Sequence, residues 1–164
     1  MGNLTDFFSA GSTSVLVQAV RAELQSRITV SGQTPTQILT CNITPQYADS
    51  IIEITGVLQH TGNHVNSWGV YKDGYAIYAM TGNLNDTTLQ HTNYGAPTTS
   101  TTNYGNQMVS PYAAYDTAGS TNQITYSLRY TTSWSTSSYT AYVGNRSDND
   151  MLGKTFMFIK EIRP

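Results

Sequence analysis

Three histidines, one cysteine and ten carboxylates are the side chains with which this chain could do acid–base, nucleophilic or metal chemistry. A metal centre needs several of them to converge, a hydrolase needs a nucleophile beside a base, and a glycosidase needs two carboxylates about 5 to 9.5 Å apart. His60 and His64 are four residues apart, which puts two ligands on one side only in a helix, and Gly62-Asn63 between them indicates a loop. With His91 they read as ordinary loop histidines. Ser147-Asp148-Asn149-Asp150 is rich in oxygen donors, but the Gly and bidentate Glu of an EF-hand loop are missing at the required spacing, so a solvated turn is expected. The acids are scattered with no marked pair, no Gly-rich phosphate loop links a strand to a helix, and no Gly-x-Ser-x-Gly elbow occurs. Cys41 lies inside the alternating run Ile38 to Ile43 and reads as a small buried side chain; a lone thiol allows no intrachain disulfide. The expectation is a protein without catalytic residues, metal or cofactor, acting by binding.

Binding chemistry is better represented. Twelve tyrosines and two tryptophans are set among Ser, Thr, Asn and Gly. Tyr and Trp supply flat amphipathic contact area, and small polar residues hydrogen-bond adaptably, a mixture that also suits the apolar ring faces and hydroxyls of sugars. Between Thr81 and Gln107 few residues are apolar, and Thr92-Asn93-Tyr94-Gly95 recurs ten residues later as Thr102-Asn103-Tyr104-Gly105. The repeat is either two turns that each present a tyrosine or an accident of a low-complexity segment. A loop this long in a compact domain is commonly functional or disordered. The ligand-contact candidates are therefore Tyr94 and Tyr104, their neighbours Asn93 and Asn103, and Trp68. Tyr71, Tyr75, Tyr78, Tyr126 and Tyr130 fall in strand-like runs and are expected to face a core or a subunit interface.

The elements that would position these residues read as strands. Ile38 to Ile43 and Ser50 to His60 are β-rich and separated by turn formers, and Trp68 to Tyr78 is two aromatic and aliphatic runs joined by Asp73-Gly74, a hairpin. Ile124, Tyr126, Leu128 and Tyr130 alternate with polar residues, as do Tyr139, Ala141 and Val143. Lys154 to Ile162 carries apolar groups on both faces, as a central or interface strand would. Ser14 to Arg27 is ambiguous: Leu16, Val20 and Leu24 share a helix face, yet the run opens with Val15-Leu16-Val17 and leads into Ile28-Thr29-Val30. Residues 1–12 read as a tail or hook with Phe7 and Phe8 as its apolar contacts, and 13–164 as one all-β domain with a long polar loop at about 81–107. Eight or so strands with sharp turns point to an antiparallel β-sandwich of jelly-roll type.

Composition narrows the partners. Charged residues are 11% of the chain and the net charge is −2, against roughly 25% charged in an average soluble domain. A surface of hydroxyls and amides has no basic field for nucleic acid. No apolar stretch approaches the ~20 residues that span a bilayer, and no charged and apolar leader opens the sequence, so neither membrane insertion nor secretion by that route is expected.

Several segments in order resemble a family of virion proteins of tailed phages, notably fibre or tail-associated proteins of environmental phages. Ser14-Val15-Leu16-Val17-Gln18-Ala19-Val20 is similar to its opening strand, and Cys41-Asn42-Ile43-Thr44-Pro45 followed by Ser50-Ile51-Ile52-Glu53-Ile54 to its Ile-Thr-Pro turn and second core strand. Tyr126-Ser127-Leu128-Arg129-Tyr130, Val143-Gly144-Asn145-Arg146 and Phe158-Ile159-Lys160-Glu161-Ile162 are similar to its last three strands. The resemblance runs from Ser14 to Ile162 with a gap across the polar loop. It implies a jelly roll, a homotrimer, a place on the virion after synthesis in the host cytoplasm, and a host cell-surface glycan as target. It also tips Ser14 to Arg27 towards strand. The expected role is a tail fibre or fibre tip held on the particle through Phe7 and Phe8 by other virion proteins. A capsid-decoration or tail-adaptor subunit is the alternative, and a polysaccharide depolymerase a remote one.

Overall fold

The computed structural model describes residues 14–31, 34–61, 66–78, 107–132, 140–144 and 154–163. Among the described residues there is no helix. The strands are β1 (Val15–Glu23), β2 (Ile28–Ser31), β3 (Thr36–Ile43), β4 (Ile51–Thr61), β5 (Asn66–Lys72), β6 (Tyr75–Tyr78), β7 (Gln107–Thr117), β8 (Ile124–Thr132), β9 (Thr140–Val143) and β10 (Phe156–Arg163). With no helix described, none is long and apolar enough to cross a membrane.

All pairings are antiparallel. In the first sheet β4 is central: β7 runs along one edge from Ile51↔Thr117 to Thr61↔Gln107. The other edge is shared by β10, paired from Ile51 to Val57, and β9, paired at His60 and Thr61. Outside these lie β1 against β10 and β2 against β9. The second sheet has the order β3-β8-β5-β6. Alternation then dictates the packing. Ile52, Ile54 and Leu58 of β4 and Met157 and Ile159 of β10 join Leu39 and Cys41 of β3, Val70 of β5 and Tyr126, Leu128 and Tyr130 of β8 in one buried cluster. Each such aliphatic side chain contributes about 1.5–3 kcal/mol by leaving water, so the two sheets form a sandwich around a common core. The sites expected for Cys41 and for the strand 124–130 are borne out by this burial.

Three local devices hold the strands in place. Asp73 and Gly74 adopt φ of 47° and 92°, as the hairpin between β5 and β6 requires. Pro111 sits in β7, whose only strand partner among the described residues is β4, so its missing N–H faces the edge and discourages further strand addition. Gly56 is glycine because the Tyr112 ring crosses it from β7: a Cβ there would overlap both that ring and the Phe156 carbonyl. The Tyr112 hydroxyl donates to that carbonyl on β10 at 2.9 Å, strapping β7, β4 and β10 together.

The strand expected over Ser14 to Arg27 is real but ends at Glu23. The chain steps there from its pairing with β10 to that with β9 and resumes at Ile28, because those two partners follow each other along β4. Strand β7 has no counterpart among the sequence-based expectations; Pro111 in its middle weakens the strand signal that Val109, Tyr112 and Tyr115 provide. The last strand is central, as expected, with Met157, Ile159 and Glu161 inward and Phe156, Phe158 and Ile162 half-buried on the outer face.

Candidate functional site

Strand direction sorts the connections by end. At one end lie Val15 and Arg163, paired to each other, the first residue of β4, the turn 44–50 and the Asp73-Gly74 hairpin. At the opposite end Thr61 pairs with Gln107, Asn66 with Thr132, and Ser31 with Thr140. At this end the chain passes into the segments 62–65 and 133–139 and returns from 79–106 at Gln107, while the start of 79–106 follows Tyr78, opposite Val70 part-way along β5; these segments carry polar and aromatic residues singled out above. The first and last described strands thus reach the end of the sandwich opposite to the one at which Gln107 begins β7.

Tyr94, Tyr104, Asn93 and Asn103 lie outside the described residues, as do Phe7 and Phe8 of the tail, His64, His91 and Ser147 to Asp150. Trp68 is described, and it belongs to the core: it is 4% exposed and its ring packs against that of Tyr112 at 5.6 Å between centroids. Its position on the inward face of β5 gives it a packing role in place of the expected ligand contact. Among the strand tyrosines, Tyr126 and Tyr130 are fully buried and Tyr71 lies under the Arg129 guanidinium at 4.4 Å. Tyr75, directly after the hairpin turn, stands 80% exposed and so lies outside the core.

Sequence reasoning missed the polar groups inside the sandwich. Glu161 points inward from β10 and is 0% exposed. Its carboxylate accepts the Gln18 amide at 2.6 Å, the backbone N–H groups of Gln46 and Tyr47 at 2.9 and 3.1 Å, and the Ser50 hydroxyl at 2.8 Å. Burial pushes its pKa up, and these donors outweigh that and hold it below the usual carboxylate value. One side chain thereby ties β1, the turn 44–50 and β10 together. A glutamate at an inward position of a strand otherwise lined by Met157 and Ile159 is the signal by which it could have been found.

His60 is the second case, and here the loop assignment is corrected: it lies in β4 and is 1% exposed. Its Nδ1 is 3.0 Å from the Tyr130 hydroxyl and its Nε2 3.2 Å from the Ser110 hydroxyl. A serine beside an imidazole is the beginning of a nucleophilic arrangement. All three side chains are buried, however, and Tyr130 belongs to the second sheet, so this network couples the sheets. A third polar link joins Tyr126 to Asp116 at 2.7 Å, with Lys72 on the same carboxylate oxygen at 2.7 Å. Among the described residues no group of three His, Cys, Asp or Glu side chains could hold a metal ion.

Neither a scan against protein-family models nor a search of the curated proteins finds a match to this chain.

Proposed function

We propose that this chain is a binding module of a tailed-phage virion, a fibre tip or related attachment protein, which holds a host cell-surface glycan through the loops at one end of a jelly roll. The observation that carries this reading is the polarity of the sandwich. The strand that follows the N-terminal segment starts at one end, and the segment 79–106, with Tyr94 and Tyr104, leaves β6 opposite Val70 and enters β7 at the other end, at Gln107. A module tethered through Phe7 and Phe8 would then present its tyrosine-rich loops away from the particle. The jelly-roll assignment is supported by the winding: from β3 to β9 the chain crosses between the sheets at every step except the β5–β6 hairpin, with β1, β2, β4, β7, β9 and β10 in one sheet and β3, β5, β6 and β8 in the other. Assembly as a homotrimer would add multivalency, and linked weak sites commonly gain ~10²–10⁴ in avidity. No step of this role needs a catalytic residue or a cofactor.

The competing reading, a capsid-decoration or tail-adaptor subunit, is favoured by one feature: the outer face of the first sheet exposes Ile51, Val109 and Tyr115. The test is binding of the labelled protein to intact cells of candidate hosts, with a Tyr94→Ala/Tyr104→Ala variant as control. Saturable binding that is lost in the variant supports attachment through the long loop. A folded protein that binds no cells of the virus's own host favours the structural subunit.

A further inference from the structure

Registry across the first sheet sets its outward side chains in rows. One row runs Glu23, Phe156, Val57, Pro111; the next Arg21, Phe158, Thr55, Ala113. The third runs Ala19, Lys160, Glu53, Tyr115, and the last Leu16, Ile162, Ile51, Thr117. Soluble sheets that face water on one side are ordinarily polar there, and here most positions are apolar. Leu16 at 58%, Tyr115 at 63% and Ile51 at 40% remain exposed. The few charges are neutralised in place: Lys160 pairs with Glu53 at 2.8 Å and Arg21 with Glu23 at 2.8 Å. Arg21 also lies over the Phe156 ring at 5.1 Å. Glu23 also takes the Lys154 ammonium at 2.7 Å, so each charge in the rows has a partner of opposite sign and the positions between these pairs are mostly apolar.

We infer that this face pairs with the same face of a second copy about a two-fold axis parallel to the strands and running between β10 and β4. Such an axis exchanges the two strands, so every row meets its own reverse. Phe156 faces Val57 of the second copy, Ile162 faces Ile51, and Phe158 faces Thr55. Lys160 meets Glu53 of the second copy, and Glu53 meets Lys160, which closes a ring of four alternating charges. An axis perpendicular to the strands through that row would instead set Lys160 on Lys160, which the charge pattern disfavours. The self-complementarity is the kind an isologous contact requires. Sheets stack about 10 Å apart, and four strands at ~4.8 Å spacing by seven residues at ~3.3 Å give roughly 450 Å² of projected face. That is the size of a functional apolar patch and below the ~800 Å² per partner of a standard interface. The pairing is therefore concentration-dependent. It stands apart from the attachment reading and from threefold assembly, which would use other surfaces.

The test is the native mass of the full chain over a dilution series from micromolar to near-millimolar, for wild type, Glu53→Lys and the charge-swapped Glu53→Lys/Lys160→Glu, with circular dichroism and thermal melting alongside. Expected are species with even numbers of chains, a dissociation constant raised at least ~10-fold in Glu53→Lys by like-charge opposition, and recovery in the swapped variant. Three results overturn the inference: wild type that stays monomeric throughout, wild type that forms only odd-numbered species, or pairing that is unchanged in Glu53→Lys. Because each rests on mass, none depends on whether the protein binds a cell.

Discussion

Replacing Glu161 by glutamine keeps the shape of the side chain and turns one acceptor oxygen into a donor amide. In the native arrangement Oε2 receives Gln18 at 2.6 Å and Gln46 at 3.1 Å, while Oε1 receives Gln46, Tyr47 and Ser50. Whichever end carries the new amide, at least one buried donor is left facing another donor. The remaining bonds also lose their charge assistance. An unmet buried donor costs about 1–3 kcal/mol and the loss of a charge-assisted bond a similar amount, so Glu161→Gln should destabilise the fold by about 3 kcal/mol. For a chain of this size that lowers the melting temperature by roughly 6–12 °C. The pH dependence has a definite sign. The folded pKa is held below that of an ordinary glutamate, so the stabilisation is fully present above the ordinary value and is lost as pH falls through the folded pKa. Urea unfolding of wild type and variant from neutral pH down to about pH 3 measures both effects: a wide gap near neutrality that closes in acid. A gap under about 1 kcal/mol at neutral pH, or one that persists unchanged in acid, would refute the reasoning.

Gly56→Ala should cost about 2–4 kcal/mol, because the new methyl group displaces the Tyr112 ring and its bond to the Phe156 carbonyl. In a Tyr112→Ala background the same substitution should cost less, and equal costs in the two backgrounds, measured by denaturant titration, would show that the ring is not the obstacle. Burial raises the pKa of Tyr112, Tyr126 and Tyr130, and the bond to Asp116 raises that of Tyr126 further. Their stabilising contribution is full below about pH 10 and is lost as pH rises above it. Absorbance titration should therefore show these phenols ionising together with alkaline unfolding; ionisation of all of them near pH 10 with circular dichroism intact would contradict it. Tyr130→Phe leaves the His60 Nδ1 without its hydroxyl partner and should cost about 1–2 kcal/mol by calorimetry, and a neutral result would mean that this link does not couple the sheets.

Period-two alternation and turn chemistry determined most of the fold from the residues alone. Ile124, Tyr126, Leu128 and Tyr130 all face inward, Asp73-Gly74 makes the hairpin, and Cys41 is buried, because each depends only on neighbours within one strand or turn. What depended on partners distant in sequence was not legible. Whether Ser14 to Arg27 runs unbroken is set by β9 and β10, more than a hundred residues away, and those partners interrupt it at Glu23. Trp68 looks the same in sequence whether it faces a ligand or a core; only the approach of Tyr112 from the other sheet makes it a core residue. His60 acquires its role from Ser110 and Tyr130, and Glu161 from Gln18, Gln46, Tyr47 and Ser50. A buried polar group is stable only where folding delivers its hydrogen-bond partners, so tertiary structure alone decides whether it is a defect, a site or a tie.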